Sequence, residues 1–306
     1  MASVAEELSG AAAAAVERGG RSVLRVEGSR RGPSSGVAWS ADGVVVAAHH
    51  SVEWDEEVGL GLSDGQPARA TVVGRDPTTD VAVLRVEQPD VRLTPPSWAE
   101  ADRLKVGHFV LGLSRPGRTV RATLGVVNAL GEEWRTPAGG RVDRYLQSDI
   151  DPHPGFSGGL LVDLAGTAIG MNTSGLLRGS ATALPVPTLR RVVGSLLTHG
   201  QVRRGLFGIG TMTVRLPAPA AGPGQAAGLL VTAVQPGSAA EAAGLLLGDV
   251  LMSVEGQPVA SAGDLLPFLE EEKIGRELGA RVLRAGQVHD VRVKVGEPED
   301  RARRTT

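Results

Sequence analysis

Ser157 sits in the run Gly155-Phe156-Ser157-Gly158-Gly159, where the flanking glycines let backbone amides turn toward a point beside the hydroxyl. Negative charge developing on a tetrahedral intermediate needs that arrangement of donors. A Gly-Ser-Gly cluster by itself is a flexible turn in most proteins, so the rest of the chain decides its meaning. His49-His50 follows the apolar run Val44-Val45-Val46, and Asp80 stands just before Val81-Ala82-Val83-Leu84. Serine, histidine and aspartate can therefore come from separate strand ends, as a nucleophile, a proton acceptor and an orienting carboxylate require. Acyl transfer is the chemistry such a set performs.

Other chemistries are excluded or left without support. The chain has no cysteine, which removes disulfides, thiolate zinc sites, iron–sulfur clusters and a cysteine nucleophile. None of its six histidines has the i, i+4 helical spacing that places two imidazoles on one metal. No metal site and no cofactor are expected. The charge balance, 32 − 34 = −2, removes the usual electrostatic argument for nucleic-acid or anionic-membrane binding.

The elements that must position these residues are short. At 306 residues the chain has room for two domains, and 42% apolar with 22% charged residues is an ordinary globular composition. Residues 3–18 are alanine-rich and read as one helix stopped at Gly19-Gly20. From Ser22 onward, short Val/Leu-rich runs punctuated by Gly, Asp-Gly and Pro predict many strands, hence an all-β barrel or sandwich. Residues 187–197 carry Leu189, Val192, Val193, Leu196 and Leu197 at helical spacing and end at Gly200, which places a domain boundary near residue 200. A Pro/Ala/Gly-rich insertion over 216–228 precedes a second set. That set comprises strands over 229–234, 250–254 and 288–295 and helices over 239–243 and 263–272, a compact α+β module. A charged tail follows Glu297.

The first sixteen residues carry Glu6 and Glu7 where a secretory signal needs positive charge. No run approaches the length of a spanning helix. The expectation is a soluble cytoplasmic protein without a membrane span, or a periplasmic or otherwise extracytoplasmic one if translation starts upstream.

Several segments together resemble the HtrA/Deg family of serine proteases over roughly residues 22 to 296. They are Asp42-Gly43 leading to the histidine pair; Leu62-Ser63-Asp64-Gly65 with the run from Val72 to Leu84; and Gln147-Ser148-Asp149-Ile150 through Gly155 to Gly159 and on to Thr173. The resemblance implies a mainly β protein, a chymotrypsin-like double β-barrel followed by a small α+β PDZ domain. It divides the chain into an N-terminal helical segment (1–21), a trypsin-like protease domain (22–200), a PDZ domain (201–297) and a charged tail (298–306).

Carried over by position, Ser157 is the nucleophile, Asp80 the orienting acid, and the amides of Gly155 and Ser157 the oxyanion hole. Counting from Asp42-Gly43 and back from Val52-Glu53 places His50 on the family's base, whereas an Ala-Ala-His reading chooses His49. Neighbours in a strand face opposite sides, so only one of the two can point at Ser157. Phe156 stands where the family usually has asparagine, and His153-Pro154 replaces an asparagine-containing lead-in. Asp151, six residues before Ser157, has the offset of a carboxylate selecting basic side chains, but reads more simply as an exposed turn acid.

Leu206-Phe207-Gly208-Ile209 resembles the loop that captures a peptide's terminal carboxylate. Val234 to Ala240 and Leu247-Gly248-Asp249-Val250-Leu251 match a PDZ core, and Leu265, Leu266 and Leu269 could line the peptide groove or face the core. The implied function is endoproteolysis of unfolded or damaged proteins through an acyl-enzyme, with peptide C-termini as partners of the PDZ domain. A homotrimer is compatible with the family, although no aromatic residue precedes Trp39. The alternatives are a catalytically silent peptide-binding or chaperone-like protein and, on Asp151 alone, a protease specific for basic residues.

Overall fold

The structure is a computed structural model that describes residues 3–53, 57–99, 104–177, 180–216 and 225–297. It divides into two compact units, Met1–Val202 and Arg203–Thr306.

The first unit opens with α1 (Val4–Gly20), capped by Ser3 in a capping box with Glu6. Its C-terminal end lies so close to the following barrels that a Cβ on Gly19 would come within 2.7 Å of Leu113. Then come β1 (Val23–Glu27), β2 (Ser34–Ala38), β3 (Val44–Ala48), β4 (Glu57–Gly61), β5 (Pro67–Asp76) and β6 (Val81–Val86). They close into an antiparallel barrel in the order β1-β2-β3-β6-β5-β4, sealed by pairing of β1 with β4. The β-branched and small residues that crowd these strands fill the interior, among them Val26, Val45, Val58 and Ala70.

A second barrel is built from β7 (Phe109–Ser114), β8 (Arg121–Leu130), β11 (Leu146–Ser148), β12 (Leu160–Asp163), β13 (Ala168–Thr173) and β14 (Thr182–Pro185). Between β8 and β11 lies a two-stranded excursion, β9 (Trp134–Arg135) and β10 (Arg141–Val142). The second barrel runs β11-β14-β13-β12-β7-β8 and closes through β8 and β11. Taking its six strands in chain order, this is the same cyclic order as the first. The helix expected over 187–197 is α2 (Val186–His199), which packs on β5, β6 and β13 through Leu189, Val192, Val193 and Leu196. It stops at Gly200, whose φ of +71° is the left-handed cap that glycine adopts freely.

The second unit is an open antiparallel sheet ordered β15-β16-β17-β19-β20, made of β15 (Ile209–Arg215), β16 (Ala227–Val234), β17 (Val250–Val254), β19 (Glu277–Arg284) and β20 (Gln287–Lys294), with β18 (Gln257–Pro258) paired to β17. One short helix, α3 (Ala239–Ala242), covers it, and Phe207, Leu229, Leu251, Val282 and Val293 form its core. The helix expected over 263–272 is instead two 3₁₀ segments, Ala262–Leu269 and Glu271–Lys273. Pro267 lies inside the first and has no N–H for an α-helical bond. Leu265 is buried in the core, and Leu269 packs against it. The tail beyond Glu297 and most of the 216–228 insertion lie outside the described residues. Among the described residues, no helix is long and apolar enough to cross a membrane.

Candidate active site

The histidine pair does not lie in a strand. β3 ends at Ala48, and His49–Ser51 form a single 3₁₀ turn, so turn geometry rather than strand alternation separates the two rings. The chain is fixed there by Asp80, whose carbonyl accepts the His49 N–H at 3.0 Å and whose Oδ1 accepts the His50 N–H at 2.9 Å. Asp80 reaches them from a turn organised by Asp76, which accepts bonds from the Thr78 amide and from the Thr78 and Thr79 hydroxyls. Asp80 itself has φ +60°, a left-handed conformation that aspartate tolerates better than most residues.

Asp80 is buried, its side chain 6% exposed. Its Oδ2 lies 2.8 Å from His50 Nδ1 and also accepts the Thr173 hydroxyl. Such a carboxylate holds the imidazole with its proton on Nδ1, leaving Nε2 as the acceptor. The hydrogen bond to Asp80 raises the His50 pKa above the ordinary histidine value, with burial opposing and the carboxylate charge assisting. His49 is pushed the other way, chiefly by burial, and its Nδ1 is buried without a hydrogen-bond partner among the described residues. The two neighbours are therefore electrostatically distinct: the Asp80 charge acts on both, but among the described residues only the His50 ring is hydrogen-bonded to the carboxylate.

Gly175 closes the back of this couple. A Cβ there would sit 2.5 Å from Asp80 Oδ2 and 2.7 Å from His50 Nδ1, so no side chain fits. Thr173, Ser174 and Gly175 are functional neighbours whose roles the sequence reading did not assign. Their only signal is two hydroxyls and a glycine at the end of β13, the second strand after the serine loop.

Ser157 is 7% exposed and stands beside β3: a Cβ on Gly158 would lie 2.0 Å from the Ser35 carbonyl and 3.2 Å from the Ala48 amide nitrogen. The lead-in His153-Pro154-Gly155-Phe156 is a turn with a 2.9 Å bond from the Phe156 N–H to the His153 carbonyl. Gly155 has φ +85°, and a proline followed by a positive-φ glycine defines a type II turn. In the type I alternative the Pro154–Gly155 peptide would be turned over, reversing the direction of the Gly155 N–H. Among the described residues, the Gly155 and Ser157 N–H groups meet no acceptor, which leaves both free for an oxyanion.

Phe156 is 2% exposed and sits in the second barrel's core beside Ile150, Val110 and Leu161. His153 is tied to Ser114 at 3.0 Å. At rest the Ser157 hydroxyl is 3.1 Å from Ser174 Oγ and accepts the Ser174 N–H at 3.2 Å. Among the described residues it forms no hydrogen bond with His50. Asp151 is exposed, whereas the preceding Ile150 is buried; that placement favours the turn-acid reading over a specificity pocket. No cluster of His, Asp and Glu among the described residues could hold a metal ion.

In the second unit, Gly208 has φ +77°, and a Cβ on it would lie 2.3 Å from Ser238. The carbonyls of Phe207 and Gly208 are taken by the Ala240 and Gln235 N–H groups, both at 2.8 Å. The amides of Phe207 and Gly208 meet no acceptor among the described residues. Beside them β15 is an edge strand, paired among the described residues with β16 alone. A free amide loop next to an open strand edge is how a sheet captures an extended peptide by its carboxylate.

Residues 34–171 match the family model for a trypsin-like peptidase domain, and residues 205–295 match that for a PDZ domain. The chain is 36% identical over 276 residues to a probable periplasmic serine protease do/HhoA-like of Haemophilus influenzae, covering 87% of this chain and 58% of that protein. It is 32% identical over 270 residues to the periplasmic pH-dependent serine endoprotease DegQ of Escherichia coli, covering 86% and 59%. The chain thus spans somewhat under two thirds of the length of these curated relatives. A solved structure of the HtrA-type protease AlgW with a tripeptide superposes with a TM-score of 0.72 at 30% identity, covering 94% of this chain and 97% of that one. The cytoplasmic placement expected from the first residues is overturned by these relatives, whose names assign them to the periplasm and point to an extracytoplasmic location.

Proposed function

Because this chain belongs to the HtrA family of serine proteases, a trypsin-like double barrel followed by a PDZ domain, we propose that it is a serine endopeptidase of unfolded or damaged proteins. Residues 22–200 carry the chemistry, and residues 201–297 bind peptide C-termini or regulate the protease. The relatives' periplasmic names support an extracytoplasmic site of action.

The observation that carries this reading is the buried Asp80 carboxylate on His50 Nδ1, opposite a serine loop with two free amides. On substrate binding the Ser157 hydroxyl leaves Ser174 and turns to His50. His50 Nε2 takes the proton as Ser157 Oγ attacks the scissile carbonyl, and the oxyanion is received by the Gly155 and Ser157 amides. The imidazolium then protonates the leaving amine, and the C–N bond breaks to leave an acyl-Ser157. Water, deprotonated by the same imidazole, releases the acid and restores the hydroxyl. Asp80 stabilises the imidazolium throughout.

Incubation with a reduced, alkylated protein followed by mass mapping of the fragments tests the reading. Internal cleavage that disappears in Ser157→Ala supports it. Absence of Ser157-dependent cleavage would move the chain to a peptide-binding protein without catalysis.

Two further results are expected. The base must be neutral to act, so kcat/KM falls as pH drops through the pKa of His50; because Asp80 raises that pKa, the acid limb lies above the ordinary histidine midpoint. A pH profile of peptide hydrolysis with its acid midpoint below that of a free histidine would contradict the assignment. In the PDZ unit, Gly208→Val places a side chain against Ser238 at a positive φ and is expected to weaken binding of a peptide with a free C-terminal carboxylate by roughly 10-fold or more, about 1.4 kcal/mol. Fluorescence polarisation checks this, with the C-terminally amidated peptide as the matched loss of ligand charge.

A further inference from the structure

We propose that Ser35, anchored by Arg115, is a positioning residue that holds the oxyanion hole in its working geometry before substrate arrives; the inference rests on the protease reading above. Ser35 lies on β2 in the first barrel and is 0% exposed. Its N–H donates to the Ser157 carbonyl at 3.2 Å, and its hydroxyl donates to the Gly155 carbonyl at 2.6 Å. Both residues whose amides would receive the oxyanion are thus gripped, through their carbonyls, by one residue of the opposite barrel.

The grip has a fixed base. Ser35 Oγ accepts the backbone N–H of Arg115 at 2.8 Å, so the hydroxyl is both donor and acceptor and its direction is set. Arg115 follows β7 in the second barrel, and its guanidinium is buried. It donates from Nε to the Val23 carbonyl at 2.7 Å and from its terminal nitrogens to the Arg118 and Gly20 carbonyls at 2.9 and 2.8 Å. The end of α1, the start of β1 and the loop after β7 are thereby tied to the residue that supports Ser35. The Gly155–Phe156 peptide is then held at both ends, its oxygen by Ser35 and its N–H by the His153 carbonyl.

Oxyanion donors act only within a few tenths of an ångström of their place, and removing one donor costs about 10²- to 10³-fold in kcat. Losing the Ser35 hydroxyl strands a half-buried carbonyl at Gly155 and a buried N–H at Arg115, and the loop relaxes to satisfy them. The geometry for attack degrades while the substrate-binding surface stays.

Ser35→Ala in the full chain is the test, with Ser35→Cys, close in volume but a poor donor, as the second variant. Both are compared with wild type for kcat and KM on a peptide substrate, for inhibition by a peptide boronate of the same sequence, and for melting temperature. The expected result is kcat lower by about 10- to 100-fold and boronate affinity lower by the same factor. KM stays within about twofold, in protein still folded at the assay temperature. Unchanged kcat and boronate affinity, or a rise in KM alone, would overturn the proposal. A wild-type enzyme that cleaves nothing would instead remove the functional reading. The crystal structure of Ser35→Ala then decides the geometric claim: a displaced Gly155 amide supports it, and an unmoved loop overturns it.

Discussion

His50→Ala is expected to lower kcat on an unfolded-protein substrate by about 10⁶-fold, the size of the loss when the base of a serine triad is removed, while His49→Ala stays within roughly threefold of wild type. The two residues are adjacent, so a change of this kind cannot come from a general disturbance of the turn. His50 Nδ1 is on the Asp80 carboxylate at 2.8 Å, whereas the His49 ring contributes no described hydrogen bond and has a buried, unpartnered Nδ1. Removing His49 leaves no stranded partner. Removing His50 leaves Ser157 without a proton acceptor and Asp80 without the imidazole it orients. Steady-state hydrolysis of a peptide by the two variants checks the pair, and equal losses in both would contradict the geometry.

Asp80→Asn is expected to lower kcat by about 10⁴-fold with the fold intact. An amide in place of the carboxylate presents N–H to His50 Nδ1, which must then accept, and the proton moves to Nε2, where the base is needed free. Both carboxylate oxygens lie within hydrogen-bond reach of His50 Nδ1, at 3.0 and 2.8 Å, so an NH₂ at either position faces that nitrogen. Asparagine adopts a positive φ as readily as aspartate, so the left-handed backbone at this position survives the change. A melting temperature near that of wild type together with the kinetic loss separates chemistry from folding. Loss of kcat only in proportion to unfolded protein would count against the assigned role.

The glycine-flanked serine, the histidine pair and the aspartate were legible because each is a local signal at a strand end. Strand punctuation by Gly, Pro and Asp-Gly likewise gave the barrels' constituents, since turn chemistry is local. Closure of both barrels in one cyclic order was not readable, because pairing β1 with β4 or β7 with β12 depends on partners far apart in sequence. The same limit hid Thr173, Ser174 and Ser35. A hydroxyl that bonds across 93 or 120 residues has no spacing to betray it. The helix expected over 263–272 failed at Pro267, where apolar periodicity outweighed a missing donor. The first residues misled on location: their acidic, alanine-rich character forms a capped helix packed against the barrels and does not report the compartment.

Labelling with a fluorophosphonate, read by intact mass and peptide mapping, reports directly whether Ser157 is an activated nucleophile. A single adduct is expected on the peptide containing Ser157, formed by the resting protein and absent from Ser157→Ala. An unlabelled wild type, even with a C-terminal peptide added for the PDZ domain, or an adduct on another residue, would contradict that role.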